Sequence, residues 1–206
     1  ALKGDKSLSV KESNEQGIYY KLLDGRNINK YLINWSGDYL DYNINRIHSC
    51  KTKEIFEADE KLMFRRVSAN LIFTYDTEKY YALNTIVFLT KKNNTIGFSL
   101  KALLGIMNSK LINYYYVTNF KSTKTVFSEI QARSVGEIPI VLLENDLLIT
   151  SIVDRILKIK RIDSTANTTA LEQEIDLLVY KLYGLTYDEI KIIDPETPIT
   201  YEKYEA

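Results

Sequence analysis

SLKALLGIMNSKLINYY, residues 99–115, is the stretch from which the fold is read. Ser99 suits a helix N-cap, because its hydroxyl can accept from a backbone N–H that has no intrahelical partner. Leu100, Leu103, Leu104, Met107, Leu111, Ile112 and Tyr115 then recur at helical spacing and form one broad apolar stripe. Lys101, Asn108 and Lys110 fall largely away from it. The spacing predicts a single long central helix. Tyr114, Tyr115 and Tyr116 close it, and at least one of the three must face the core.

On the N-terminal side, residues 18–23, 62–67, 71–75 and 80–89 are rich in β-branched and aromatic side chains and read as strands. Asp24-Gly25 and Ser36-Gly37-Asp38 mark turns, and Lys91-Lys92-Asn93-Asn94 suits a hairpin turn. On the C-terminal side, residues 118–137 form a long connection containing Phe120 and Phe127, both expected as core anchors; loops of this length are usually functional or disordered. Two helices follow. Leu148, Ile152, Ile156 and Ile159 mark the first; Leu171, Ile175, Leu178, Val179 and Leu182 mark the second, opened by a Thr169…Glu172 capping box. Gly184 suits a left-handed C-terminal cap, and Thr186…Glu189 opens a further turn. Pro195 and Pro198 end regular structure, leaving a frayed tail.

The expected fold is α+β, a mixed α/β chain. It comprises a twisted, largely antiparallel sheet with a long central helix, plus a C-terminal antiparallel helical hairpin. The expected organisation is an N-terminal segment 1–16, flexible or tag-derived, a recognition domain 17–143, a helical hairpin 144–193 and a tail 194–206. The hairpin is expected to pack on the recognition core or on a domain outside this chain.

With 206 residues, 45% of them apolar, the chain can build one sizeable core or two small ones. No apolar run approaches the roughly 18 residues a membrane helix needs, and residues 1–15 hold no signal-peptide core. The chain starts at Ala1 without Met and so reads as a fragment with a tag remnant. A single cysteine, Cys50, rules out an internal disulfide framework and fits the cytoplasm.

Net charge is zero, but its distribution is uneven. Basic and acidic residues number seven and six in 1–50, thirteen and seven in 51–135, and seven and fourteen in 136–206. No Asp or Glu occurs between Lys79 and Glu129, a span carrying Lys91, Lys92, Lys101, Lys110, Lys121 and Lys124. A phosphate-facing surface needs such a zone, since each carboxylate repels the polyanion. The same pattern also arises when solvated lysines merely segregate by chance.

Catalytic chemistry is not visible. The three prolines, Pro139, Pro195 and Pro198, exclude an Asn-Pro-Pro-Tyr amino-methylating motif, and there is no Gly-rich phosphate loop. His48 and Cys50 make half a zinc site at best. Glu189-Ile190-Lys191 has a nuclease-like Glu-x-Lys spacing, but Glu189 is accounted for by its capping box. No catalytic residue and no metal site are assigned.

Several segments together resemble the TaqI-like C-terminal specificity domain, the target-recognition domain of type IIG restriction enzymes and related adenine methyltransferases. These are Tyr20-Lys-Leu-Leu-Asp-Gly-Arg-Asn-Ile28 with Trp35 to Tyr42, Leu62-Met-Phe-Arg-Arg-Val67 with Tyr80 to Leu89, Leu103-Leu-Gly-Ile-Met-Asn-Ser-Lys-Leu-Ile112, Gly136-Glu-Ile-Pro-Ile140, and Glu174 to Leu185. Asn27 stands where the family usually has an acidic residue, and Val141 where a second proline is common. The order and spacing run across roughly residues 17–193.

The resemblance implies a non-catalytic module that holds double-stranded DNA and reads base edges, mainly in the major groove. A methyltransferase domain, in cis or as a separate subunit, would face it across the DNA, bind S-adenosylmethionine and flip out an adenine. No membrane partner is implied. The specificity subunit of a type I restriction system is the near alternative. A protein-interaction domain working through its acidic helices, with no nucleic-acid role, is the distant one.

Candidate DNA contacts follow. Arg65 and Arg66 are adjacent on a strand and so point to opposite faces, one free to reach DNA and the other structural. Lys121, Ser122, Thr123 and Lys124 form a polar basic tract suited to phosphates, or else a solvated loop. Lys91 and Lys92 sit at a turn that could grip the backbone or a groove. Arg26 belongs to the opening motif, with a structural or a DNA role.

Overall fold

The computed structural model describes residues 9–10, 19–47, 51–92, 99–121, 128–141 and 146–205. It is α+β, and its chain divides into two compact units. The first comprises residues 1–95 with 127–131, the second 96–126 with 132–206.

The first unit carries the strands. In chain order these are β1 (Ser9–Val10), β2 (Tyr19–Leu23), β3 (Ile28–Asn29), β4 (Leu32–Ile33), β5 (Tyr39–Asp41), β6 (Lys61–Arg65), β7 (Val67–Ser68), β8 (Phe73–Asp76), β9 (Tyr81–Ala82), β10 (Ile86–Leu89) and β11 (Ser128–Glu129), with one short helix, α1 (Lys53–Glu57). Two main sheets run β1-β5-β2-β9 and β10-β6-β8, and two small ribbons pair β3 with β4 and β7 with β11. Every pairing is antiparallel except β2 with β9. The stretch 80–89, expected as one strand, is split by a turn at Leu83–Thr85, so that β9 and β10 join different sheets.

Period-2 alternation explains why β2 and β9 carry no polar face where they pair. Leu22 and Tyr81 point into a cluster with Leu40, Tyr42, Ile47 and Phe56. Their neighbours Leu23, Tyr80 and Ala82 point into a second cluster with Ile28, Met63 and Ile86. Tyr20, Tyr81 and Phe56 stack in series, with ring centroids 4.2 and 4.4 Å apart. At the end of the second sheet Lys61 faces Asp76 in register across β6 and β8, Nζ to Oδ2 2.5 Å, both side chains fully buried. Lys61 also donates to Phe56 O, and Asp76 accepts from Glu78 N and Tyr80 N. Burial still pulls the Lys61 amine below its ordinary value. A one-residue slip of β8 would turn Asp76 to the opposite face and leave Lys61 buried without its partner, so the pair defines the register.

The second unit is helical among its described residues: α2 (Leu100–Asn108), α3 (Lys110–Phe120), α4 (Ala132–Gly136), α5 (Leu147–Ile162), α6 (Thr169–Leu182), α7 (Tyr187–Ile193) and α8 (Tyr201–Glu205). The expected long helix is therefore two helices. Ser99 caps α2 as anticipated, accepting from Lys101 N and Ala102 N. Ser109 then takes an extended conformation (φ −64°, ψ 157°), ends α2 and caps α3 through its hydroxyl. Asp176 of α6 holds the break open by accepting from Lys110 N at 2.8 Å. Within its unit α2 packs on α5 and α6. A Cβ on Gly105 would come within 2.8 Å of Ile149 Cγ2, so the glycine permits that approach.

The hairpin of α5 and α6 is present. Ile149, not Leu148, turns inward from the first turn of α5, and Leu148 is exposed. The N-cap of α6 is Thr168, one residue before the expected position, and its hydroxyl bonds Glu172. Gly184 at φ +67° completes a left-handed C-terminal cap, with Gly184 N donating to Lys181 O and Leu185 N to Tyr180 O. The Thr186…Glu189 capping box forms reciprocally, which assigns Glu189 to α7. The chain after Pro195 is not frayed. Ile199 and Tyr204 are buried against Tyr180 and Ile190, and the Tyr204 hydroxyl donates to Leu185 O.

No helix among the described residues is long and apolar enough to cross a membrane.

Candidate nucleic-acid interface

Between β2 and β3 the chain makes a three-residue 3-10 turn, Gly25–Asn27. Its geometry is set by side chains. Asp24 Oδ1 accepts from Arg26 N at 3.3 Å, and Asn27 Oδ1 accepts from Asp24 N at 2.6 Å, a reciprocal capping box in miniature. The other end of the Asn27 amide donates to Asn34 O at 2.9 Å. Gly25 N donates to Thr85 Oγ1, and a Cβ on Gly25 would meet Thr85 O at 3.1 Å, so the turn sits directly on the β9–β10 connection. Beside it lies a cavity of about 570 Å³ within the first unit, with Asp24, Arg26, Asn27, Ser36, Asp38 and Thr85 among its polar lining.

This turn brings the three candidate arginines into one arrangement. Arg26 stands at the lip with its side chain 91% exposed, and its Nη2 is 3.9 Å from Asp24 Oδ2. Arg65 and Arg66 diverge, as adjacent residues at a strand end must, but neither is free. Arg65 Nε donates to Ile28 O at 2.7 Å and Nη2 to Asn29 Oδ1, clasping the strand that leaves the turn. Burial lowers its guanidinium value, and the Asp24 charge opposes that shift. Arg66 is ion-paired with Glu129 and reaches Asn84 O, while its backbone N–H donates to Thr85 O. Both arginines brace the frame that presents Arg26.

The lysines are elsewhere. Leu89 pairs with Leu62 and Ile86 with Arg65, so Lys91 and Lys92 follow the end of β10 opposite to Arg65. Lys91 bonds Glu60 at 2.9 Å, whereas Lys92 is exposed. Asn93 and Asn94, the rest of the expected hairpin turn, lie outside the described residues. Lys121, the half-buried C-cap of α3, belongs to the second unit. Ser122, Thr123, Lys124 and Phe127 lie outside the described residues, as do His48 and Cys50. Tyr116 is the tyrosine of its triplet that faces the core, and Phe120 packs beside it half-buried.

The acid-free stretch of sequence is not acid-free in space. Lys79 meets Asp59 at 3.2 Å, Lys91 meets Glu60, Lys101 meets Asp154 at 2.6 Å, and Lys110 meets Asp194 at 2.6 Å. Two of these carboxylates come from α5 and the C-cap of α7, so the acidic C-terminal third neutralises α2 and α3 within its own unit. In the sequence Asp24, Ser36 and Asp38 read only as turn residues and Asn27 only as a departure from the family pattern, while Thr85 carries no signal; the Asp24…Asn27 spacing is what could have pointed to the cap. Among the described residues no group of three or more His, Cys, Asp or Glu could hold a metal ion.

Residues 20–140, more than half of the chain, match the model of the TaqI-like C-terminal specificity domain. The chain belongs to that family, the DNA-specificity domains of restriction–modification enzymes. No curated protein matches the chain at the similarity required.

Proposed function

We propose that this chain is the sequence-specific double-stranded DNA-recognition module of an adenine-specific DNA methyltransferase or type II restriction enzyme. Family membership across residues 20–140 is the observation that carries this reading. The chemistry would belong to a methyltransferase domain, in cis or as a separate subunit, and that domain would hold S-adenosylmethionine. This chain supplies grip and selectivity. Arg26 on its braced turn, Lys92 and the 121–124 tract are the contacts offered to DNA; Arg65, Arg66 and Lys91 act through the frame. A cytoplasmic location follows from the same reading.

The test is fluorescence anisotropy of the full chain on mixed-sequence duplex DNA across a salt series. Binding in the range of about 10⁻⁴–10⁻⁶ M that weakens steeply with salt is expected. Lys121→Ala/Lys124→Ala is expected to make the dependence on log salt shallower by about one per phosphate contact removed. Absence of binding at every salt concentration would favour a protein-interaction domain, a reading helped by the ion pairing that absorbs Lys79, Lys91, Lys101 and Lys110.

A further inference from the structure

We infer that Arg26 is a base-reading residue, specific for the guanine of one G·C pair, and that Asp24 is its positioning residue. The inference rests on the DNA-recognition reading above. Its first support is exposure combined with rigidity. The Arg26 side chain is 91% exposed, yet its backbone is held by the Asp24–Asn27 capping box, by Gly25 N on Thr85 and by Arg65 on Ile28 O. An arginine meant only to attract a polyanion needs no such support. One that must place a two-pronged donor against a base edge does, because a bidentate contact tolerates little error in position.

The second support is the charge around it. Asp24 lies 3.9 Å from the guanidinium, and Asp38 lines the same cavity. Carboxylates so placed repel phosphate and reduce what Arg26 could gain from the DNA backbone. They do not obstruct a base edge. In the major groove a G·C pair offers guanine N7 and O6 as acceptors and the cytosine amino group as donor. Arginine's planar fork matches the first two. Asp24 Oδ1 is held by the cap, and Oδ2 lies 3.9 Å from Arg26 Nη2, where its charge orients the fork.

The experiment is selection of bound sequences from a randomised duplex pool by the full chain, as wild type, Arg26→Ala, Arg26→Lys and Asp24→Asn. Wild type is expected to enrich a motif containing a fixed G·C pair. Arg26→Ala is expected to lose preference at that pair alone by roughly 5- to 100-fold, leaving the other positions and the salt slope unchanged. Arg26→Lys should keep the charge without restoring the preference, because lysine has no fork. Asp24→Asn retains the cap oxygen and should weaken the preference partially. Uniform weakening in Arg26→Ala with a salt slope reduced by about one would make Arg26 a phosphate contact and overturn the inference while leaving the recognition reading intact. An unchanged motif would overturn it too. If the wild-type chain enriches no sequence, both readings fall together, before any variant is compared.

Discussion

Asn27 shows how a single side chain can be legible in position and illegible in purpose. The family resemblance marks it as standing in place of an acid. The structure shows an amide used at both ends, accepting from Asp24 N and donating to Asn34 O. A carboxylate could do the first and not the second, and would set its charge against the Asn34 carbonyl. Asn27→Asp is therefore expected to destabilise the chain by about 1–2 kcal/mol. Asn27→Ala, which loses the cap as well, should cost more. Urea denaturation followed by circular dichroism checks the order, and a stabilising Asn27→Asp would show that the amide donor is not needed. Arg65 and Arg66 give the complementary lesson. Their divergence follows from strand geometry, but what each meets depends on residues 36 and 63 positions away in the chain, Asn29 and Glu129.

Among the elements, the capped ends were the most readable. Ser99, Gly184 and the Thr186…Glu189 box all occur where local spacing puts them. The break at Ser109 was not readable, because Leu111 and Ile112 continue the apolar stripe across it and the group that stabilises it, Asp176, lies on α6. Strand existence was mostly visible, whereas the division of 80–89 between two sheets depends on the Thr85 contact with Gly25. Gly105 tests whether packing outweighs local preference. Alanine in its place should gain about 1 kcal/mol of helix propensity. Its methyl would meet Ile149 Cγ2 at 2.8 Å and Val153 Cγ2 at 3.1 Å, both on short branched side chains with little room to move. Overpacking of this kind costs about 1–3 kcal/mol. Gly105→Ala is expected to lower the thermal midpoint, and a raised midpoint would show that α5 yields easily.

At the scale of the whole molecule, charge segregation along the sequence did not survive folding, since the turn before β6, α5 and the C-cap of α7 supply the missing carboxylates. Sequence could not reveal this without knowing which helices touch. The chain's end is the other correction. Ile199 and Tyr204 fill the cluster around Tyr180 and Ile190, so truncation after Asp194 is expected to expose that apolar surface and unfold the region of α6 and α7. Hydrogen exchange read by mass spectrometry should show protection lost in residues 169–193 and kept in the strands 61–89. Unchanged protection in α7 would mean that α8 merely covers a core complete without it.

The pairing of β11 with β7 has a consequence for how the polypeptide is made and cut. The first unit runs to residue 95, is interrupted, and takes back residues 127–131 to finish one of its two small ribbons and to supply the partner of Arg66. During synthesis the strands emerge first, yet β7 waits for its mate until α2 and α3 have been translated. The two halves therefore mature in interleaved order. A protease that nicks once between residues 95 and 96 leaves the fragments tied together through β11, so no single cleavage there yields an intact half.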